Sequence, residues 1–260
     1  MQWPETASVA DKLELARIDK NTLGHLIFTD AALATARYPH LTSVPYPSSF
    51  HWSSSPELQH PPWEVATNRH ILMLFIGDTS HGDMAVRQRI VRACAGYRSK
   101  ALCRVAAAGN NARDSIALKT RAVFCLEPVG DSPFRKSISD SIVLGCAHSH
   151  SRATSSIRQI ELLPVCLRAG IPVFFSALTD AVAPWFWDTW KTRGRVLVPR
   201  DAFLSGALDL RELLEGIPPH FLSTMQRSLA ANAKRFQFSL DDDPGDALEV
   251  LLHGILRRTR

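Results

Sequence analysis

The amino-acid sequence predicts an α/β fold built on a parallel sheet. Two apolar runs, at residues 123–126 and 171–175, are typical of strands that are covered on both faces. Between them, Ile138, Ile142 and Val143 have the spacing of one buried helix face. A strand, a helix and a further strand in this order form a crossover, which makes the two strands parallel.

Other segments extend this pattern. Residues 70–78 predict a buried strand that ends at Gly77. The remaining predicted elements are an arginine-rich helix over residues 84–95, a short strand at 197–198 and helices over 219–235 and 246–256. The arginines of the first helix form no single stripe, so most of them are expected to face solvent, with one near the helix start within reach of a phosphate.

Charge and hydropathy exclude several classes of protein. The 260 residues include 30 Lys plus Arg and 25 Asp plus Glu, a net charge of +5, and the charges are scattered. No basic block or aromatic-basic module favours a nucleic-acid partner. The apolar runs are far shorter than the roughly 18 to 20 residues that cross a bilayer, and the polar N-terminus does not resemble a signal peptide. We therefore expect no membrane anchor within this chain.

The five cysteines do not form a disulfide scaffold or a zinc motif. They are Cys94, Cys103, Cys125, Cys146 and Cys166, and no two have CxxC spacing. Buried thiols are the simplest interpretation. A disulfide between Cys94 and Cys103, which flank a short connection, is the alternative in an oxidising compartment.

The turn after the strand at residues 123–126 is the strongest candidate for a binding site. Ser132 suits a helix N-cap and Pro133 the first helical position, so a helix is predicted to start there. Arg135 and Lys136 would then oppose the helix dipole, a penalty that a bound anion would remove. A phosphate site at the carboxyl end of a parallel strand follows from this arrangement.

Asp140, four residues after Lys136, allows two interpretations. Its carboxylate suits hydrogen bonds from ribose hydroxyls, while the cations hold a diphosphate. Alternatively, Lys136 and Asp140 form a surface ion pair of about 0.3–0.5 kcal/mol. The acid-second order of this pair is the weaker one, which argues mildly against a purely structural role.

These residues resemble a known family. The segment FCLEPVGDSPFRKSISDSIVLGC, residues 124–146, followed by IPVFF, is similar to the signature of exostosin-like glycosyltransferases of family 47, in the version found in plant and algal xyloglucan galactosyltransferase-like members. Similar elements are VPYPSSFH at residues 44–51, RHILMLFIG at 69–77 and APWFWDTW at 183–190.

The resemblance implies a fold and an activity. The fold would be of GT-B type, with a nucleotide-sugar donor in the C-terminal Rossmann-like half. The reaction would transfer galactose or a related sugar from a UDP-sugar to an oligo- or polysaccharide acceptor with inversion, without a cofactor or metal. The location would be the Golgi membrane or lumen, through an anchor that this chain does not contain.

The resemblance also assigns roles to the residues of the turn. Arg135 would contact the donor diphosphate, with Lys136 beside it, and Asp140 would hold the ribose or a neighbouring hydroxyl. The turn itself would be shaped by Gly130, Asp131 and Ser132.

The general base and the aromatic residues remain open. His51, His81 and Asp180 are candidates for the base by their chemistry alone. Three tryptophans could stack on sugars or belong to the core: Trp185, Trp187 and Trp190.

The sequence departs from the family pattern in two places. Residues 147–170 are inserted where the family continues directly into IPVFF, and we expect them to be either a surface loop or a retained intron. Their His148 and His150 are assigned no metal. About 45 residues precede the PYP element, so the acceptor-side half is expected to be truncated.

The predicted domain organisation follows. Residues 1–67 are a remnant of the acceptor-side half and a linker, 68–240 the nucleotide-sugar-binding domain and 241–260 a C-terminal helix. Three functional classes are considered: an active glycosyltransferase, a donor-binding fragment that lacks catalysis, and a basic nucleic-acid-binding protein. The third is disfavoured for want of a basic module.

Overall fold

The central feature of the fold is a five-stranded parallel sheet. A computed structural model of the protein describes residues 26–28, 41–43, 45–48, 69–107, 112–144, 170–181, 183–239 and 243–258. The strands are β1 (Leu26–Phe28), β2 (Leu41–Ser43), β3 (Ile71–Ile76), β4 (Cys103–Ala106), β5 (Ala122–Glu127), β6 (Ile171–Phe174) and β7 (Val196–Leu197). β1 and β2 form a separate parallel pair. The other five lie in the order β4-β3-β5-β6-β7, with every neighbouring pair parallel.

Helices connect and cover these strands. They are α1 (Met84–Gly96), α2 (Ala112–Lys119), α3 (Lys136–Val143), α4 (Ala177–Ala181), α5 (Arg200–Ser205), α6 (Leu210–Glu215), α7 (Pro219–Ala233) and α8 (Ala247–Arg258). The predicted α/β class is confirmed. No helix in the described part of the chain is long and apolar enough to cross a membrane.

The central strands owe their positions to continuous apolar sequence. Every residue of β5 and β6 is buried, as a strand covered on both faces requires. Cys125 of β5 pairs in register with Leu74 of β3 on one side and with Pro172 of β6 on the other. β5 therefore lies at the centre of the sheet, and its carboxyl end leads directly into the candidate site.

A buried arginine ties the amino end of β3 to two helices. The guanidinium of Arg69 donates to the carbonyls of Lys119 at 2.6 Å and Leu144 at 2.7 Å. These carbonyls lie at the carboxyl ends of α2 and α3, where a cation also complements the helix dipole.

The predicted start of α3 is wrong by several residues. The helix begins at Lys136 with Arg135 in the N-cap position, and the hydroxyl of Ser132 donates to the carbonyl of Phe134 at 2.9 Å. Phe134 is buried and stacks on Phe236 with ring centroids 6.2 Å apart. Placing Phe134 in the core keeps residues 131–134 out of the helix.

Two of the three tryptophans belong to the core. Trp187 and Trp190 are buried, with ring centroids 4.5 Å apart. Trp185 is partly buried and lies against Gly254 of α8, where a β-carbon would stand 2.7 Å from the indole nitrogen. The core alternative therefore holds for Trp187 and Trp190.

Cys94 and Cys103 form a disulfide that joins the last turn of α1 to the first residue of β4. Of the alternatives left open by the sequence, the structure contains the disulfide. Cys125 is a buried free thiol, as expected. Cys146 and Cys166 lie outside the described residues, as do His51, His148, His150 and almost all of the insertion at residues 147–170.

Candidate functional site

The candidate site lies where the strand order of the sheet reverses. From β3 the chain moves outward to β4 and then returns to β5 on the other side of β3. In open α/β sheets ligands bind at the carboxyl ends of the two strands that flank such a switch point. Here these ends continue into two loops, residues 77–83 after β3 and residues 128–135 after β5.

The two loops touch through a pair of glycines. Gly82 has φ +64°, and a β-carbon on it would lie 2.6 Å from the Cα of Gly130 and closer still to the carbonyl of Val129. The amide of Asp83 donates to the carbonyl of Val129 at 3.0 Å. Only glycine satisfies both the backbone conformation and the close approach at position 82.

At Gly130 an added β-carbon would meet arginine side chains, which would have to move. A β-carbon at this position would lie 2.8 Å from Cδ and 3.0 Å from Nε of Arg135. It would also lie 3.3 Å from an Nη atom of Arg87. Two guanidinium groups therefore meet at this glycine.

Arg135 is held beneath the turn. Its Nη2 donates to the carbonyl of Pro128 at 2.5 Å and lies 3.3 Å from the carboxylate of Glu127. Within the described part of the chain, its buried Nε has no hydrogen-bond partner. Buried donors are nearly always paired, so this nitrogen indicates a ligand or solvent acceptor that is yet to be supplied.

Glu127 is the buried carboxylate behind Arg135. Its Oε1 accepts hydrogen bonds from Lys119 at 2.9 Å, Ser141 at 2.7 Å and Ser137 at 3.0 Å. Burial alone would raise the pKa of Glu127, but the charges of Lys119 and Arg135 and these hydrogen bonds outweigh it, so that its pKa lies below the usual value. Glu127 is therefore ionised, and Lys119 already balances its charge.

Arg87 is the arginine nearest the start of α1, where the sequence predicts one arginine within reach of a phosphate, and the structure places it at the site. Its Nε donates to the carbonyl of Val129 at 3.2 Å and its Nη1 to the carbonyl of Asp78 at 2.8 Å, so it joins the two loops. Burial and then the charge of Arg135 lower the pKa of Arg87. The signal in the sequence is the position of Arg87, one turn into the helix that follows β3.

Lys136 and Asp140 form the predicted ion pair, 3.0 Å apart. Lys136 is half exposed, whereas Asp140 is buried and also accepts a hydrogen bond from Ser48 at 2.7 Å. Ser48 belongs to the PYP element. The structure thus links that element to α3 through Asp140, whose role toward a ribose stays a prediction.

The remaining residues of the turn lie around this centre. Asp131 is exposed, and Ser132 is partly buried and bonded to the backbone within the turn. With Gly130 and Arg135 they form the loop after β5, while Lys136 and Asp140 lie on the following helix.

Of the base candidates, His81 and Asp180 are described. His81 is exposed on the loop after β3, with Nδ1 2.9 Å from the hydroxyl of Ser80 and 3.4 Å from the carboxylate of Asp78. Hydrogen bonds from the amide and hydroxyl of Ser80 lower the pKa of Asp78 to about 2, so its carboxylate is ionised.

Asp180 forms its hydrogen bonds with residues of the protein core. Its carboxylate accepts hydrogen bonds from the indole of Trp187 at 2.8 Å and from Arg195 at 3.0 Å, and it is buried. A carboxylate held in this way positions Trp187, which favours a structural role over that of a base.

These features define a class of protein: a parallel α/β protein with a cationic turn at its switch point, suited to a phosphorylated ligand. Comparison with known proteins adds a family similarity to this description. The model of the Exostosin GT47 domain matches residues 34–147. This match covers less than half of the chain, and it confirms the resemblance drawn from the motif.

Individual proteins of known family are also similar to this chain. The chain is 25% identical over 234 residues to the probable xyloglucan galactosyltransferase GT13 and 27% identical over 238 residues to the probable xyloglucan galactosyltransferase GT15, both of Arabidopsis thaliana. Each match covers 83% of this chain and 44% of the relative. The chain thus spans less than half the length of these relatives.

Two further similarities are more limited. A xyloglucan-specific galacturonosyltransferase of Arabidopsis thaliana is 31% identical over 112 residues, which cover 40% of this chain and 16% of that protein. Among solved structures, AviGT4, a glycosyltransferase involved in avilamycin A biosynthesis, is similar with a TM-score of 0.41 and 12% identity, over 88% of this chain and 62% of that one.

Proposed function

We propose that the chain binds a UDP-sugar at the switch point and transfers galactose or a related sugar to an oligo- or polysaccharide. One observation carries the proposal: the buried Nε of Arg135, beside Gly130 at the carboxyl end of the central strand, has no hydrogen-bond partner among the residues that the structure describes. A donor diphosphate would supply the missing acceptor and the missing negative charge. The names of the GT47 relatives supply the sugar and acceptor classes.

The residues of the turn take separate roles in this proposal. Arg135 binds the diphosphate from below and the half-exposed Lys136 approaches it from the helix start. Gly130, Asp131 and Ser132 shape the turn around it. Asp140 accepts a hydrogen bond from a ribose hydroxyl or a neighbouring hydroxyl. Its carboxylate must then bind this hydroxyl in addition to Ser48 and Lys136.

The proposed chemistry needs stabilisation of a leaving group and a base. Guanidinium groups at the turn would stabilise the negative charge that develops on the departing UDP, so no metal is proposed. A base must take the proton of the acceptor hydroxyl during inversion. His81 stays a candidate because it is exposed on the loop that touches Gly130.

The sheet that carries this turn would be the donor-binding half of a GT-B enzyme. A second candidate function is therefore binding of a nucleotide sugar without catalysis. It is favoured by Asp180, one of the two described base candidates, being engaged with Trp187 and Arg195.

An oxidising compartment is proposed for the protein, and the Golgi lumen in particular. The disulfide between Cys94 and Cys103 supports this location, because such bonds persist in secretory compartments and are reduced in the cytosol.

Titration calorimetry with UDP tests the binding proposal. Wild-type protein is expected to bind UDP, and Arg135→Ala is expected to weaken binding about tenfold or more through loss of a charged hydrogen-bonding group. Arg92→Ala, which removes an exposed arginine from α1, is the matched control. No binding, or equal binding by Arg135→Ala, would overturn the proposal.

Turnover separates the two candidate functions. UDP-galactose is incubated with xyloglucan oligosaccharides, and products are identified by mass spectrometry, with the anomeric configuration determined by NMR. A galactosylated product of inverted configuration supports the transferase. Binding of UDP without product supports the binding fragment.

A further inference from the structure

We propose that Arg87 is a second diphosphate-binding residue, which forms with Arg135 a two-guanidinium clamp around Gly130. This inference rests on the proposed function, because the diphosphate is that of the UDP-sugar. Arg87 lies outside the family signature over residues 124–146 and comes from a different element, α1. The clamp would therefore join the loop after β3 to the loop after β5.

Geometry brings the two guanidinium groups together. Nε and Nη1 of Arg87 are used by the backbone carbonyls of Val129 and Asp78. Its Nη2 lies beside Gly130, 3.3 Å from the place of a β-carbon, while Nε of Arg135 lies 3.0 Å from the same place. One small ligand above Gly130 could thus contact both arginines.

The charges around the clamp are unbalanced on the buried side. Arg87 and Lys119 are each 4% exposed and Arg135 is 19% exposed, against one buried carboxylate, Glu127. The other carboxylates near Arg87 are those of Asp78 and Asp131, which are exposed to solvent that screens their charge, and that of Asp83, which is partly buried but is paired with Arg200.

The size of this surplus indicates the ligand. With Asp83 already bound by Arg200, Arg87, Lys119 and Arg135 share one buried carboxylate among the described residues, Glu127, and Arg87 and Arg135 repel each other across Gly130. A diphosphate carries at least two negative charges on adjacent groups, whereas a single carboxylate would leave part of the surplus. The balance therefore favours a nucleoside diphosphate over a monoanion.

The experiment compares UDP with uridine, which has no phosphate, in the full chain. Arg87→Gln is expected to weaken UDP binding about tenfold or more and to leave uridine binding within about twofold. Arg92→Gln removes the same charge from an exposed position of α1 and is expected to change neither affinity by more than about twofold.

A conservative variant separates a role in binding from a role in loop structure. Arg87→Lys keeps the charge but its single ammonium cannot reproduce the forked bonds to two carbonyls. Contact with phosphate predicts UDP affinity closer to wild type for Arg87→Lys than for Arg87→Gln. A purely structural role predicts that both variants lose UDP and uridine affinity in equal proportion, which would overturn the inference.

Failure of the inference and of the proposed function are distinguishable. If wild-type protein binds no UDP, the proposed function fails and the clamp fails with it. If wild type binds UDP and Arg135→Ala weakens it, but Arg87→Gln binds as wild type does, the clamp alone is wrong.

Discussion

Glu127, the last residue of β5, and Asp180, in the helix after β6, are both buried carboxylates, but their cationic surroundings differ. Asp180 pairs with one cation, Arg195, and also accepts a hydrogen bond from Trp187. Glu127 lies between Lys119 and Arg135, and Arg87 adds a further cation nearby.

This difference in charge balance distinguishes a structural cluster from a candidate binding cluster. Arg195 already neutralises Asp180, so this pair needs no further counter-ion, and Asp180 holds Trp187 in the core. The surplus at Glu127 is costly in the absence of a counter-ion, because buried charges require compensation. We therefore interpret the first cluster as structural and the second as the anion-binding part of the donor site.

The largest effect is expected from removing the charge of Glu127, the buried carboxylate between Lys119 and Arg135. Glu127→Gln leaves Lys119 buried without a counter-ion and should lower the free energy of unfolding by about 3–5 kcal/mol. Urea denaturation measures this change. Glu215→Gln, which breaks an exposed pair with Arg211, is the control and should cost less than about 1 kcal/mol. Equal losses in the two variants would show that Glu127 is not compensating buried charge.

A change away from both clusters should affect stability without affecting binding. The Cys94–Cys103 disulfide closes a short loop of sequence separation 9, and its loss should lower the free energy of unfolding by about 2–3 kcal/mol. Cys94→Ser with Cys103→Ser, compared with wild type in urea, tests this. UDP affinity should stay within about twofold, and a large loss would mean that stability and binding are not separable here.

Gly130→Ala should affect binding more than stability. The new β-carbon would push against Arg135 and Arg87, so UDP affinity is expected to fall about tenfold. Gly96→Ala is the matched control, because a β-carbon at the end of α1 meets nothing within 4 Å. Calorimetry with UDP gives both values, and unchanged affinity in Gly130→Ala would contradict the placement of the diphosphate.

The smallest effect expected is a difference in pH dependence. The pKa of Glu127 is lowered in the folded protein, so its ionised form stabilises the fold above the unfolded value near 4.5, and this contribution is lost as the pH falls through the folded pKa. The stability difference between wild type and Glu127→Gln should therefore shrink below about pH 4. Urea denaturation between pH 7 and pH 3 measures it, and a constant difference would contradict the lowered pKa of Glu127.

The sequence predicts those parts of the fold that depend on local patterns. The strands β3, β5 and β6 are continuous apolar runs, and the turn proposed to bind phosphate is marked by its cations at a helix start. The start of α3 was missed because Phe134 is held by Phe236, about a hundred residues away in the chain.

The charge balance of the site could not be predicted from the sequence for a similar reason. Arg87 reaches Val129 only because β3 and β5 are neighbours, and the distance between those residues in sequence gives no sign of it. One signal was available: Glu127 ends a fully buried strand, and a carboxylate there requires a buried cation. The cations that meet this requirement are Lys119 and Arg135.

The central claim is that the unbalanced cluster, and not the balanced one, binds the diphosphate. Calorimetric titration of UDP into wild type, Arg135→Ala and Asp180→Asn tests it most directly. The account predicts binding by wild type, a loss of about tenfold or more in Arg135→Ala and a change below about twofold in Asp180→Asn, although the latter is destabilised. Equal weakening in both variants, or no weakening in Arg135→Ala, would contradict it.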